Sequence, residues 1–110
     1  MQTCIFETLY RGACGYVVRC RACNYYQIAA GTTCITIAAE NFNRLQKLTE
    51  DACGQVSDSK PPHVKGYAIG TPYCGVEFIF TASELLQFRE MIDAAADEAK
   101  ALYMMGLFAK

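Results

Sequence analysis

Strand-forming residues dominate the first third of the chain. IFETLY at 5–10, the short run 16–19 and YYQIAA at 25–30 are rich in β-branched, aromatic and apolar residues. Gly12 and Gly15 mark a turn within RGACG, Cys20 to Cys23 forms a tight corner, and Gly31-Thr32 marks a second turn. In the next strand, 34–37, Ile35 and Ile37 share one face while Cys34 and Thr36 share the other. The period then changes. Phe42, Leu45, Leu48 and Ala52 recur three or four apart, which predicts a helix over 39–53 with Glu40 at its positive end and Gly54 as its stop.

The segment 55–63, QVSDSKPPH, reads as a loop because Pro61 and Pro62 exclude helix. Strand character returns at 64–69, breaks at Gly70-Thr71-Pro72, and resumes where Val76, Phe78 and Phe80 alternate with other residues. Thr81 and Glu84 form a capping box that opens a second helix, predicted over 82 to about 105. Its stripe is Leu85, Phe88, Ile92, Ala95 or Ala96, Ala99, Leu102, Tyr103 and Gly106. Leu86, Met91, Met104, Met105, Leu107 and Phe108 do not all fit that stripe. Surplus apolar area on a helix marks an interface, so a homodimer through the C-terminal helix is expected.

The second half repeats the pattern of the first. Ile28 to Thr32 matches Tyr67 to Thr71, and Phe42 and Leu45 match Leu85 and Phe88, so each of 25–54 and 64–107 reads strand, Gly-Thr turn, strand, helix. A hairpin with one helix cannot bury both faces alone. The expected fold is therefore α+β in a single domain, 1–110. It has one antiparallel sheet of about five to six strands, two helices on one face, and two strand-strand-helix repeats.

Composition narrows the function classes. With 53% hydrophobic and 19% charged residues the chain is a folded globular domain. Ten basic and eleven acidic residues provide no large positive field, which argues against nucleic-acid binding. No basic segment precedes a long apolar run and no stretch is long enough to span a bilayer, so a cytoplasmic, non-membrane protein is expected. Seven cysteines, an odd number, fit a reducing compartment better than a disulfide framework.

Cys20-Arg21-Ala22-Cys23 is the sharpest chemical feature, since two thiolates three apart can chelate a tetrahedral Zn2+. If the first turn is centred between Gly12 and Ala13, Cys4 lies across from Arg21, beside Cys20. Cys14 is nearly 20 Å of extended chain away, roughly 3.3 Å per residue, and Cys34 pairs near Ala29. The expected structural zinc ligands are Cys4, Cys20 and Cys23, with Glu7 and His63 the nearest further donors. Reduced cysteines without metal are one alternative. A redox pair at Cys20 and Cys23, activated by Arg19 and Arg21, is the other.

The stretch GYVVRCRACNYYQIAAGTTCITIAAENFNRL, from Gly15 to Leu45, resembles a family of small uncharacterised proteins found mainly in Bacteroidetes. That resemblance rests on the GYV strand, the CxxC knuckle, the strand ending in Gly-Thr, and the Phe-x-x-Leu spacing at Phe42 and Leu45. It implies a cysteine in the place of Cys4 and so supports Cys4, Cys20 and Cys23 as a group. This chain departs at Ala30, where a phenylalanine is common, and at Ala38, where a hydroxyl cap is usual. The resemblance implies a fold and no reaction.

Glu90, Asp93 and Asp97 form an acidic row on the second helix, the ordinary pattern of a solvated face. There is one His and no P-loop, HExxH or dinucleotide glycine pattern, so an enzyme is not expected. The leading expectation is a non-enzymatic interaction or structural protein stabilised by a zinc knuckle. The alternatives are a zinc-ribbon-like nucleic-acid module using Arg19, Arg21 and Tyr25 or Tyr26, and a thiol redox protein using Cys20 and Cys23.

Overall fold

The computed structural model describes residues 5–56 and 63–108. Four strands, β1 (Phe6–Gly12), β2 (Gly15–Cys20), β3 (Tyr25–Ala30) and β4 (Thr33–Ala38), run straight into α1 (Ala39–Cys53); β5 (Tyr67–Gly70), β6 (Glu77–Phe80) and α2 (Ala82–Phe108) follow. The first four strands form one antiparallel sheet in the order β1-β2-β3-β4, while β5 and β6 form a separate two-stranded sheet. The expected single sheet of five to six strands is thus corrected to two sheets, within an α+β fold.

The reason lies at β4. It passes into α1 with no intervening loop, and α1 carries the chain to β5, which packs on α1 instead of extending the β4 ladder. The free edge of β4 is met by a side chain, because the Tyr73 hydroxyl donates to the Thr36 carbonyl.

Register fixes the faces of the larger sheet. Val17 pairs with Ile28 and Ile28 with Ile35, and Tyr26 pairs with Ile37. All five are buried against Phe42 and Leu45 of α1 and Leu85, Phe88, Met91 and Ile92 of α2, forming one core between sheet and helices. Tyr26 and Phe42 stack with ring centroids 4.3 Å apart. The small hairpin contributes Tyr67, Ile69, Phe78 and Phe80, buried in strict alternation with exposed neighbours, as a half-buried hairpin requires.

Helix termini follow their local chemistry. Thr81 N–H donates to Glu84 Oε1 at 2.9 Å and Glu84 N–H to Thr81 Oγ1 at 3.2 Å, the reciprocal pair expected from Thr81-x-x-Glu84. Ala38 caps α1 with no side-chain bond. Gly54 follows the last turn of α1 in ordinary right-handed geometry, so its freedom at positive φ is not used. The α1 stripe is Phe42, Leu45 and Thr49; Leu48, expected in it, is exposed. Thr49 tolerates burial because its hydroxyl donates to the Leu45 carbonyl at 2.7 Å.

Candidate interaction surfaces

The first hairpin turns at Ala13-Cys14, flanked by the Gly12–Gly15 pair, and a bulge between Thr8 and Tyr10 sends Leu9 into the core. Both features shift the pairing from the expected register. Phe6 stands opposite Cys20 and Glu7 opposite Arg19, and Arg21 N–H donates to the Ile5 carbonyl at 2.9 Å. Cys34 pairs with Ala29 as expected.

Cys4 lies outside the described residues. Of the other two proposed ligands, Cys20 is 1% exposed at the end of β2, while Cys23 is exposed in the following turn. The two thiols occupy opposite environments. Among the described residues no group of three or more His, Cys, Asp or Glu side chains is placed to hold a metal ion. The expectation of a zinc-binding protein is therefore corrected. Glu7, a suggested further donor, is engaged by Arg19, whose Nε donates to Glu7 Oε1 at 3.0 Å, and more distantly by Arg21 at 3.8 Å. His63 is exposed in the turn before β5.

The remaining cysteines divide by burial. Cys14 packs against α2, with Sγ 3.8 Å from the Gln87 carbonyl and 4.0 Å from Met91 Sδ. Burial raises the pKa of Cys14 and of Cys53, which keeps both thiols protonated and poorly nucleophilic at neutral pH. Cys23, Cys34 and Cys74 are exposed. Alkylation followed by peptide mapping is expected to label Cys23 about a hundredfold or more faster than Cys20, which reacts only as the sheet opens. Equal rates would restore the redox-pair alternative.

The acidic row of α2 is structural surface. Asp93 accepts from Gln46 Nε2 at 2.9 Å and pairs with Arg89 at 3.5 Å, linking the helices.

Two larger surfaces remain. The first is the far end of α2. Its buried stripe runs through Leu85, Phe88, Met91, Ile92, Ala95 and Ala99 and then stops. From Lys100 to Gly106 no side chain is fully buried: Leu102 is half-buried against the core, Tyr103 and Gly106, expected in the stripe, are exposed, and Tyr103 and Met105 are each 65% exposed. Met91, expected among the surplus residues, belongs to the core; Leu86 and Met104 are exposed as expected. The side chains of Leu107 and Phe108 lie outside the described set. Beside this helix end is a cavity of about 410 Å³ whose lining combines Tyr26, Phe42 and Tyr103 with charged Arg19, Asp97 and Lys100. Exposed Phe6 lies at the same end of the sheet but, paired with Cys20, on the face opposite to Arg19 and this cavity.

The second is the sheet face turned away from the helices. Cross-strand partners share a face, so register assigns it in three rows. Phe6, Cys20, Tyr25 and Ala38 form the row near the β2–β3 turn. Thr8, Val18, Gln27 and Thr36 form the middle row. Arg11, Tyr16, Ala29 and Cys34 form the row near the first turn. The Tyr16 hydroxyl donates to Gln27 Oε1 at 3.3 Å and stands 3.8 Å from Cys34 Sγ, which raises its pKa. Among the described residues the face carries one charged group, Arg11, and no acid. Sequence reading reached this surface only through Tyr25, because β1 to β3 place small, aromatic and polar residues on it; of the residues named with it, Tyr26 is buried and Arg19 and Arg21 are drawn to Glu7.

No helix among the described residues is long and apolar enough to cross a membrane. No family model matches the chain, and neither the curated proteins nor the solved structures contain a match to it.

Proposed function

We propose that this chain is a non-enzymatic interaction module that pairs with a second copy through the C-terminal part of α2. The observation that carries the reading is that from Lys100 to Gly106 only Leu102 keeps partial burial, while the helix runs on to Phe108. The sequence from Ala101 to Ala109 holds no charged residue, so this helix end lacks the ion pairs that stabilise an isolated helix in water. Exposed Tyr103, Met104 and Met105 would gain by burial, at about 25 cal/mol per Å² of apolar surface removed from water.

A second copy suits this surface because the protruding helix end and the cavity beside it are contiguous on one protomer. A two-fold arrangement lets each helix end cover the other's cavity, so one patch serves both partners. The Tyr26–Phe42 stack supplies an aromatic floor, and aromatic and methionine side chains are enriched at the cores of such interfaces.

Sedimentation velocity at micromolar concentration tests the reading. The wild-type chain is expected to sediment as a dimer, and Tyr103→Asp with Met105→Asp to sediment as a monomer with an unchanged far-UV spectrum. The substitutions should weaken association by about a hundredfold, since each buries a charge at the interface centre. A monomeric wild type at these concentrations would overturn the proposal.

A further inference from the structure

We propose that the open face of the four-stranded sheet binds single-stranded nucleic acid, taking two or three unpaired bases on Phe6, Tyr25 and Tyr16. The inference rests on the placement of aromatic, polar and charged groups on that face and is independent of dimerisation through α2.

Phe6 is 55% exposed and Tyr25 47% exposed. They sit in one row on β1 and β3, separated by buried Cys20 on β2, so about two strand spacings of 4.8 Å, roughly 9.6 Å, lie between them. Small residues bracket the rings, with Ala38 completing the row and Ala29 flanking Tyr16 in the row near the first turn. Bases have flat π faces, and stacking on separated aromatic rings of a sheet is how single strands are held without dependence on one sequence.

The middle row supplies hydrogen-bonding groups. Thr8, Gln27 and Thr36 flank Val18, and the Gln27 amide is oriented by Tyr16. Base edges present donors and acceptors that such groups satisfy. A second copy of the same sheet is the competing occupant, and this row disfavours it. A dry sheet-on-sheet core needs interdigitating apolar side chains at its centre, where this face is polar.

Charge is segregated in the same sense. Between residues 5 and 38 the ionised groups are Glu7, Arg11, Arg19 and Arg21. Glu7 is paired with Arg19 on the helix-facing side, and Arg21, though exposed, also approaches it at 3.8 Å, so Arg11 is the cation that belongs to the outer face. The acids of the described chain otherwise stand on α1, α2 and β6. An overall charge of -1 therefore conceals an aromatic face that, among the described residues, holds one cation, Arg11, and no acid, the sign that suits a phosphodiester strand.

Fluorescence anisotropy with end-labelled oligouridylate and oligothymidylate, at low salt and with the full chain, tests the proposal. Saturable binding is expected for both single strands, with a duplex of the same length binding at least about tenfold more weakly. Phe6→Ala and Tyr25→Ala should each weaken binding about tenfold or more, and Arg11→Gln should reduce the salt slope by about one. Tyr103→Asp with Met105→Asp should bind as the wild type does. All of these positions are exposed, and thermal melts of the variants establish that the fold is retained. Absence of saturable binding at low salt, equal affinity for duplex, or unchanged affinity in the Phe6→Ala, Tyr25→Ala double variant would each overturn the proposal. So would a change of sedimentation state in that double variant, which would assign the face to a second copy.

Discussion

Gly15→Ala is expected to abolish folding at room temperature or to cost more than about 4 kcal/mol, the range reserved for severe steric conflict. Gly15 opens β2 and pairs with Gly12 on one side and Ala30 on the other. Its φ is +153°, and a Cβ added there would stand 1.8 Å from the Ala29 carbonyl oxygen. That oxygen is backbone of the adjacent strand and can withdraw only if β2 and β3 part. Gly31→Ala is the matched control. Gly31 has φ +61° but no atom within 4 Å of an added Cβ, so the cost should be only the left-handed penalty of about 1–2 kcal/mol. Urea titrations followed by far-UV circular dichroism check both, and a Gly15→Ala loss no larger than that of Gly31→Ala would show that the hairpin junction is not tightly packed.

Phe88→Ala carries the second large effect, an expected loss of about 3–5 kcal/mol. Phe88 is 1% exposed, with its ring centroid 5.1 Å from that of Phe78 and 4.8 Å from that of Phe80. These contacts attach the two-stranded sheet to α2. Because β5 and β6 make no ladder with the larger sheet, side-chain packing is what holds that hairpin in place. The loss is comparable with the whole stability of a small domain, about 5–15 kcal/mol. Leu86→Ala, two residues away on the exposed side of the helix, should stay within about 0.5 kcal/mol. Thermal or urea unfolding separates the two, and similar effects would show that α2 packs through a different face.

The proposed α2 interface and the proposed strand-binding face lie on opposite sides of the sheet, so occupation of one leaves the other accessible. The helix end belongs to the helical layer, whereas Phe6, Tyr25 and Tyr16 face away from it. Dimerisation would then present two sheet faces per particle and raise the avidity for a strand long enough to reach both.

Local chemistry accounts for what could be read from the residues alone. The spacing of Phe42 and Leu45, the capping pair Thr81 and Glu84, and the Gly31-Thr32 turn each act over four residues or fewer, and the elements they define stand where expected. Exposure of Met104 and Met105 followed from counting apolar positions against one helical stripe. The division into two sheets did not follow, because β4 could accept β5 or pass it by with identical local pattern; the direct entry into α1 and the Tyr73–Thr36 contact decide between them. The zinc expectation failed for a related reason. A CxxC spacing sets two thiols near one corner of the chain, but the Ala13-Cys14 turn, the bulge at Leu9 and the burial of Cys20 set their surroundings.

The order and type of the elements were thus settled by short-range periodicity and turn chemistry, which need no distant partner. Which strands pair, which face of β1 to β4 is left open, and where α2 leaves the core depend on contacts between residues far apart in the chain. Those contacts exist only after the helices have taken one side of the sheet, and that choice places Phe6, Tyr16, Tyr25 and Arg11 on the other.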